Sequence, residues 1–205
     1  MHYVPHLSKD QKLKKLITDH GIFKLEKKKN LCLYLCYSIM SQQLSTKVAS
    51  VIKQRFLNLY GGEPTPQQII DTPFEKLRGI GMSNAKVSYV QNVARFELEH
   101  GMGVKKLDKM SNEEVIAYLT QIKGVGRWTT EMLLMFALCR EDLFAIDDLG
   151  LRQAVTSLYE LKQRKKKTQD AAILKITAQW APYRTYACMY LWRWKDNPPV
   201  AIGKK

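Results

Sequence analysis

Apolar residues recur along most of the chain at the three- and four-residue spacing that gives an α-helix one apolar face. The clearest runs are Val48, Val51, Ile52, Phe56 and Leu59, followed by Val87, Val90, Ala94 and Leu98. No run of alternating apolar and polar residues is long enough to indicate a β-sheet. The pattern therefore predicts a chain that is mainly α-helical.

Residues suited to capping stand where several of these helices would begin. Thr65, Thr72 and Ser111 each precede a Glu or Gln by three positions, and a proline follows each of the two threonines. This spacing is typical of a capping box, and proline fits the first helical position. The predicted helices span 9–19, 31–41, 46–59, 66–71, 73–78, 84–99, 112–120, 127–138, 149–160, 169–178 and 183–194.

A helix, a short turn with a G-x-G pattern and a second helix occur twice along the chain. The turns read Leu77-Arg78-Gly79-Ile80-Gly81 and Ile122-Lys123-Gly124-Val125-Gly126. The repetition predicts two helical lobes. One lobe is expected to combine 1–103 with 179–205, and the other to comprise 104–178 with the second turn.

Charge narrows the range of partners. Lys and Arg number 33 and Asp and Glu 19, so the formal net charge is +14. A surplus of this size favours polyanions such as nucleic acid and predicts binding that weakens steeply with salt. The alternative is a surface of solvated lysines that binds nothing.

Membrane and metal chemistry have little support in the sequence. No stretch offers 18 consecutive apolar residues and no signal-peptide core is present, so we expect a cytoplasmic, nucleoid-associated protein, or a nuclear one in a eukaryote. The cysteines and histidines do not show metal-site spacing. We therefore predict buried free thiols and no metal site; the cysteines are Cys32, Cys36, Cys139 and Cys188.

The second G-x-G turn has the features of a phosphate-binding hairpin. Glycine tolerates positive φ and has no side chain, so backbone amides at the start of the next helix can approach a phosphate. Such a contact holds the DNA backbone without reading its sequence. On its own, a G-x-G pair could equally be a tight turn between two helices.

Two aspartates, Asp147 and Asp148, stand directly before the predicted helix 149–160. An N-cap carboxylate is expected there, and capping explains one of them. The chain between 138 and 148 is long enough to return to the hairpin end of helix 127–138. The other carboxylate is therefore a candidate for chemistry beside the hairpin.

Two further features could serve DNA chemistry. Aromatic residues follow the hairpin and recur near the end of the chain, where they could pack in the core or stack on a cationic base; they are Trp128, Tyr183, Tyr186, Tyr190, Trp192 and Trp194. Gln42 and Gln43 lie in an abrupt polar segment between two apolar helices. They could satisfy a turn, or enter a duplex in place of an extruded nucleotide.

Five ordered motifs resemble those of one known family. They are S-I-M-S-Q-Q-L-S from Ser38, L-R-G-I-G from Leu77, I-K-G-V-G-R-W-T from Ile122, F-A-I-D-D-L-G from Phe144 and W-A-P-Y-R-T-Y-A-C-M-Y-L-W from Trp180. Together they resemble the helix–hairpin–helix DNA glycosylases, specifically the 3-methyladenine DNA glycosylase II branch. The resemblance implies an all-α fold of two lobes, an active site in the cleft between them, and excision of alkylated purines by base flipping.

The resemblance also implies roles for individual positions. It places the catalytic carboxylate at Asp148 and the duplex-inserting residue at Gln43, with Leu44 as its neighbour. The phosphate-binding hairpin is Lys123, Gly124, Val125, Gly126 and Arg127. The base pocket is Trp128, Met132, Leu149 and Trp192.

Departures from the family pattern refine the expectation. The well-known bacterial member has tyrosines where this chain has Met132 and Leu149, so we expect a less aromatic pocket and an altered range of substrates. That member's additional N-terminal β domain has no counterpart here, which indicates a compact form. Trp128 stands where glycosylases with lyase activity carry a Schiff-base lysine, which implies a monofunctional enzyme that uses water as nucleophile.

Partners and cofactors follow from the same resemblance. It implies a monomer that binds double-stranded DNA containing alkylated bases. The closely spaced C-terminal cysteines of the iron–sulfur members are absent from the sequence. No cofactor is expected to be required, and a structural monovalent cation at the hairpin is the one candidate ligand.

Two other functions stay open at this point. Paired hairpin motifs also occur in non-catalytic DNA-binding proteins, which need neither a carboxylate nor an aromatic pocket. A glycosylase for uncharged damaged bases would need an acid to help the leaving group, and no obvious second acid accompanies Asp148. An alkylated purine is already a cation, so one carboxylate that stabilises charge on the sugar would suffice.

Overall fold

The regular structure of the protein is helical. The structure, a computed structural model, describes residues 1–162 and 165–197. No strand occurs in this part of the chain. The helices are α1 (Val4–Leu7), α2 (Gln11–His20), α3 (Leu31–Ser41), α4 (Thr46–Tyr60), α5 (Pro66–Asp71), α6 (Phe74–Gly79), α7 (Asn84–His100), α8 (Val104–Leu107), α9 (Asn112–Leu119), α10 (Arg127–Phe136), α11 (Leu149–Leu158), α12 (Lys166–Thr177) and α13 (Arg184–Asp196). A short 3₁₀ helix, Ala178–Trp180, follows α12. The predicted all-α fold class is confirmed.

Each predicted helix has a counterpart in the structure. The largest difference is at α12, which begins at Lys166, three residues earlier than predicted. The short helices α1 and α8 were not predicted, because a single turn is too short to show a periodic apolar face.

The capping residues explain where several helices begin. Thr65 and Ser111 form the two predicted capping boxes, at the starts of α5 and α9. The third prediction was wrong: the Thr72 hydroxyl donates to the Gln68 carbonyl oxygen at 2.7 Å, and α6 begins after Pro73 without a side-chain cap. Thr72 therefore ends α5 and does not start α6.

Contacts group the chain into two compact units. The first unit comprises Met1–Leu25 with Cys139–Lys205, and the second comprises Glu26–Leu138. This division differs from the predicted lobes, which placed 26–103 with the two termini and 139–178 with the hairpin. The hairpin belongs with the second unit because Gly124 packs against Tyr89 on α7. The segment after α10 belongs with the first unit because α13 binds it.

The second unit is built around α3 and α7. α3 lies along α7 and also packs against α4 and α10, while α7 contacts α5 and α6 and α10 contacts α9. The facing side chains are buried and mostly aliphatic; they include Leu35, Ile39, Phe56, Val87, Val90, Val93, Leu133 and Leu134. This packing fixes α10 and the hairpin that precedes it.

The first unit is built around α13, which packs against α2 and α11. The ring of Tyr3 stacks on Tyr186 of α13 with 3.9 Å between the centroids. The hydroxyl groups of Tyr3 and Tyr190 lie 3.1 Å apart, and both rings are buried. Tyr186 and Tyr190, two of the C-terminal aromatic residues, therefore pack in the core of the first unit. The same packing fixes the direction of α13.

Candidate active site

The second hairpin has a geometry that only glycine allows at one position. Gly124 has φ +107°, and a Cβ placed there would lie 2.2 Å from Cγ of Tyr89. The flanking Ile122 and Val125 are buried, and the Val125 N–H donates to the Ile122 carbonyl at 2.9 Å. The apolar side chains therefore anchor the turn inside the second unit.

Gly126 gives the hairpin its open side. It is the N-cap of α10, and a Cβ added there would meet no atom within 4 Å. The first-turn amides of an α-helix lack acceptors within the helix and attract anions. A glycine N-cap puts no side chain before these amides, which leaves them accessible to a phosphate.

The two charged residues of the predicted phosphate site differ in their surroundings. The side chain of Lys123 is exposed, and its carbonyl accepts the side-chain N–H of Asn92 at 3.2 Å. Arg127 binds Glu113 through two hydrogen bonds of 2.6 and 3.0 Å and Glu131 through a third of 3.0 Å. The Glu113 hydrogen bonds raise the pKa of the guanidinium. Arg127 therefore joins α9 to α10, and its charge is balanced by carboxylates.

The predicted duplex-inserting residues lie in the loop 42–45 between α3 and α4, which we name the wedge loop. Gln43 has φ +58°, a left-handed conformation that is uncommon for a residue with a side chain. Gln43 and Leu44 are both exposed. Strained backbone of this kind is often found at functional sites and costs about 1–3 kcal/mol.

A cavity of about 1140 Å³ lies in the second unit. Its lining includes the predicted residues Trp128, Met132 and Gln43. Further polar and aromatic lining comes from α3 and the residues next to it; these are Asn30, Tyr34, Tyr37, Ser38, Ser41 and Gln42. The hydroxyl of Tyr34 donates to the Met132 carbonyl at 3.2 Å, and burial raises the pKa of Tyr34 to about 12. The lining thus combines aromatic rings with hydrogen-bonding groups.

Asp148 is the N-cap of α11 in the first unit and is 9% exposed. Its Oδ1 accepts the backbone N–H of Leu151 at 2.8 Å and the indole N–H of Trp192 at 3.1 Å. One bond comes from α11 and the other from α13, so the direction of the carboxylate is fixed by two helices.

Gly150 allows this arrangement. A Cβ at this position would lie 3.0 Å from Asp148 Oδ1 and 3.5 Å from two atoms of the Trp192 indole. Leu149, a predicted pocket residue, is 67% exposed at the first position of α11. Three consecutive residues thus supply a carboxylate, an exposed apolar side chain and the space beside the carboxylate oxygen.

The structure distinguishes the two aspartates. Asp147 is exposed, and its Oδ1 lies 3.3 Å from Nζ of Lys166. Asp148 is both the helix cap and the buried carboxylate. The sequence interpretation gave one aspartate to capping and the other to chemistry, whereas Asp148 combines the cap with the position proposed for chemistry.

The segment that leads to Asp148 is bound to the first turn of α13. Arg184 donates to both carboxylate oxygens of Asp142 over 2.6 and 2.9 Å. The hydroxyl of Thr185 donates to the Arg140 carbonyl at 2.6 Å and accepts the Leu143 N–H at 3.2 Å. Since α13 also carries Trp192, these bonds position Asp148 and its indole donor together.

Sequence reasoning missed a polar row on α7. Lys86, Tyr89 and Asn92 recur every three residues and contact the wedge loop or the hairpin. The sequence does show that these three side chains are polar and lie off the apolar face of α7, whose buried residues are valines, alanine and phenylalanine. Their targets could not be predicted from the spacing.

Residues 1–162 and 165–197 contain neither a metal-binding cluster nor a membrane-spanning helix. No group of three or more His, Cys, Asp or Glu side chains there could hold a metal ion. No helix in the same ranges is long and apolar enough to cross a bilayer.

A glycine hairpin that opens onto a helix N-terminus defines the helix–hairpin–helix class of folds that bind the DNA backbone. Sequence comparison is more specific: residues 36–180 match the HhH-GPD superfamily of base excision DNA repair proteins. The chain belongs to this superfamily, which confirms the family resemblance found in its motifs.

Individual relatives agree with this assignment. The chain is 37% identical over 186 residues to DNA-3-methyladenine glycosylase 1 of Schizosaccharomyces pombe, covering 89% of this chain and 80% of that protein. Among solved structures, it is similar to the S. pombe 3-methyladenine DNA glycosylase Mag1 in complex with abasic DNA, with a TM-score of 0.83, 34% identity and full coverage of both chains. A DNA-3-methyladenine glycosidase from Bacillus halodurans gives a TM-score of 0.80 at 34% identity, over 95% of this chain and 89% of that one.

Proposed function

We propose that the protein is a monofunctional DNA glycosylase that hydrolyses the N-glycosidic bond of alkylated purines of the 3-methyladenine and 7-methylguanine type, in base excision repair. The observation that carries the proposal is the buried carboxylate of Asp148, whose Oδ1 accepts the indole N–H of Trp192. A protein that only binds DNA has no need of a carboxylate fixed in this way. Neither alternative left open by the sequence has comparable support.

The chemistry requires one negative charge. Alkylation at N3 or N7 makes the purine cationic and a good leaving group, so breaking its bond needs no general acid. Positive charge then develops on the sugar, and a fixed carboxylate stabilises it without reorganising during the reaction. Asp148 supplies this charge and accepts a proton as water attacks, which yields a free base and an abasic site.

The bases are proposed to bind against aromatic and apolar side chains. Trp128 and Met132 line the cavity of the second unit, and Leu149 and Trp192 flank Asp148 in the first. The faces of Trp128 and Trp192 would attract a cationic purine more than a neutral one, by about 0.5–2 kcal/mol. Non-aromatic side chains at Met132 and Leu149 support a shifted range of alkylated substrates.

DNA is proposed to bind as an intact duplex. The hairpin amides bind one phosphate regardless of sequence, while Gln43 and Leu44 fill the gap left by the extruded nucleotide. The exposure of both wedge residues and the open side of Gly126 support these roles. The net charge of +14 supports affinity that falls steeply with salt.

A monovalent cation at the hairpin is also part of the proposal. The carbonyl oxygens of Ile122 and Lys123 suit a hard cation, and each accepts one hydrogen bond, from Val125 and Asn92 respectively. A carbonyl oxygen has two lone pairs, so both can also bind a cation. Affinity for undamaged duplex in potassium and in tetramethylammonium, at equal ionic strength, tests this assignment.

The cellular context follows from the substrate. We propose a monomer that acts where DNA is kept, in the nucleoid or, in a eukaryote, in the nucleus. Sedimentation of the free protein and of its complex with one duplex tests the monomer assignment.

The main test is an excision assay under single-turnover conditions on duplexes that contain one 3-methyladenine, 7-methylguanine, ethenoadenine or hypoxanthine. We expect fast release of 3-methyladenine and slow or no release of hypoxanthine. Borohydride should trap no covalent adduct, because Trp128 stands where a Schiff-base lysine is required. Equal rates on 3-methyladenine and hypoxanthine, or a stoichiometric trapped adduct, would overturn the proposal.

A further inference from the structure

Three polar residues of α7 form a row that winds part of the way around the helix. Lys86, Tyr89 and Asn92 are three positions apart, so successive side chains are neighbours and the row turns by about 60° at each step. Lys86 contacts the wedge loop, and the other two contact the hairpin. The row therefore touches both elements that are proposed to grip DNA.

At one end, the ammonium of Lys86 binds the end of α3. Its Nζ donates to the carbonyl of Met40 at 2.9 Å and to that of Gln42 at 2.7 Å. The last carbonyls of a helix have no partner within it and carry partial negative charge, so a cation is the favoured donor. Burial lowers the pKa of Lys86, which agrees with an ammonium that is partly withdrawn from water where it donates to these carbonyls.

These bonds hold the residue directly before Gln43. Gln43 has a left-handed backbone, and its neighbour Gln42 is fixed through its carbonyl by Lys86. A conformation of this kind persists only where surrounding contacts impose it. Lys86 is one of those contacts.

At the other end, α7 shapes the hairpin. The ring of Tyr89 fills the space beside Gly124, and Asn92 donates to the Lys123 carbonyl at 3.2 Å. From Lys86 to Asn92 the helix advances by about 9 Å, at 1.5 Å per residue. A rigid length of helix thus separates the contacts to the wedge loop from those to the hairpin.

We propose that α7 is a spacer that sets the separation between the wedge loop and the phosphate-binding hairpin, with Lys86 as the positioning residue for Gln43. The inference rests on the proposed function of base flipping. A duplex presents its phosphates and base pairs at fixed distances, so a wedge can fill the gap of an extruded nucleotide only if it lies at the correct distance from the phosphate grip. Lys86 touches neither DNA nor substrate in this scheme and acts through the wedge loop.

The proposal predicts different defects at the two ends of the row. Lys86→Met should leave duplex affinity close to that of the wild type but release the wedge loop. Asn92→Ala should weaken binding to damaged and undamaged duplexes alike, while the complexes that do form still insert the wedge. The exposed Lys105, in α8, provides a control for the loss of one positive charge through Lys105→Met.

Wedge insertion can be read without catalysis. A duplex with a tetrahydrofuran abasic analogue and an adjacent 2-aminopurine is titrated with the wild type, Lys86→Met, Lys86→Arg, Asn92→Ala, Lys105→Met and Gln43→Ala. Affinity comes from anisotropy, and insertion from 2-aminopurine fluorescence at saturating protein. Thermal unfolding of each variant checks the fold, and Lys86→Gln takes the place of Lys86→Met if the latter does not fold.

We expect Lys86→Met to match Gln43→Ala in fluorescence while its affinity matches that of Lys105→Met, with Lys86→Arg close to wild type. Single-turnover excision by Lys86→Met should fall by about 10²-fold, as expected for a misplaced positioning group. A Lys86→Met variant that gives the same fluorescence as the wild type would overturn the spacer proposal. So would a wild-type protein that gives no fluorescence change when it binds the duplex. A wild-type protein that gives the fluorescence change but releases no alkylated base would instead overturn the proposed function.

Discussion

Trp192 donates its indole N–H to Asp148 across 3.1 Å, and the residues lie 44 positions apart in the chain. The accepting oxygen, Oδ1, also receives the backbone N–H of Leu151. A carboxylate held by donors from two helices has one preferred direction, which is what electrostatic stabilisation of a short-lived cation requires. The first unit thus provides an oriented negative charge through its own packing.

Replacing Asp148 by Asn should abolish most excision and leave binding intact. The amide oxygen can still accept from Leu151 and Trp192, so the cap and the shape are retained while the charge is lost. We expect the single-turnover rate on 3-methyladenine duplex to fall by at least about 10²-fold. Affinity for an abasic analogue should stay close to that of the wild type.

Asp147→Asn is the matched control, because it removes a neighbouring carboxylate that is exposed and pairs with Lys166. Exposed ion pairs of this kind contribute about 0–1 kcal/mol to stability. A rate for Asp147→Asn as low as that for Asp148→Asn would contradict the assignment of the buried aspartate.

Trp192→Phe should separate the hydrogen bond of Trp192 from its stacking. Phenylalanine keeps an aromatic face but cannot donate to Asp148, and a hydrogen bond to a charged group is worth about 1.5–3 kcal/mol. We expect the rate constant of excision to fall by about tenfold or more. Trp192→Ala removes the aromatic face as well, and should in addition weaken capture of the damaged duplex. A Trp192→Phe variant with wild-type kinetics would show that Trp192 acts by stacking alone.

Local patterns explain how much could be predicted from the sequence. The helices and the cap at Asp148 depend on residues within one or two turns of each other: the cap reaches Leu151, three positions later. The positive φ of Gly124 and the anchoring of Val125 likewise depend on the hairpin sequence itself. These features follow from backbone sterics and periodicity, which a single sequence displays.

Contacts between distant residues could not be predicted in the same way. Lys86 binds Met40, 46 positions away, and Arg127 binds Glu113, 14 positions away. A periodic pattern reveals which face of a helix is apolar but not which polar group the neighbouring helix presents. The family resemblance implies a phosphate-binding role for Arg127, and the sequence gives no sign that its side chain lies between two glutamates.

The two hairpin glycines should respond differently to alanine. At Gly126 an added methyl group meets no atom within 4 Å, so the fold should be unaffected, but the group would stand before the amides that bind phosphate. We expect Gly126→Ala to weaken binding to damaged and undamaged duplexes alike, at every point of a salt series. A loss of affinity confined to damaged duplex would instead place Gly126 in the base pocket.

Gly124→Ala should act on stability. Its φ of +107° and the ring of Tyr89 both exclude a Cβ, so we expect a decrease of more than about 1 kcal/mol in the free energy of unfolding. Denaturant titration measures this directly. An alanine variant as stable as the wild type would contradict the close packing of Tyr89 on the hairpin.

The ion pair of Asp142 and Arg184 should make stability depend on acid pH. The Arg184 hydrogen bonds hold the pKa of the Asp142 carboxyl below its usual value of 3.8. A lowered pKa in the folded state gives stability that is complete above the unfolded pKa and is lost as the pH falls through the folded one. The wild type should exceed Asp142→Asn by up to about 1 kcal/mol above about pH 5, and this difference should shrink below about pH 4. A difference that does not vary with pH would contradict the ion pair.

Gly150→Ala should lower activity while it changes stability little. Alanine is favoured over glycine within a helix by up to about 1 kcal/mol, and Gly150 lies in the first turn of α11. The new Cβ would lie 3.0 Å from Asp148 Oδ1, so the carboxylate must move by a few tenths of an ångström, whereas its 3.5 Å distance to the Trp192 indole is an ordinary contact.

Displacement of the carboxylate disturbs the bond to Trp192 that orients it. We therefore expect the single-turnover rate of Gly150→Ala to fall by about tenfold or more. The melting temperature should change little, because the gain in helix propensity and the displacement of Asp148 oppose each other, and affinity for undamaged duplex should not change. Ser157→Ala, at an exposed position of the same helix, controls for a general effect of alanine on α11. Undiminished excision by Gly150→Ala would show that the carboxylate tolerates displacement, and would contradict its role as a fixed charge.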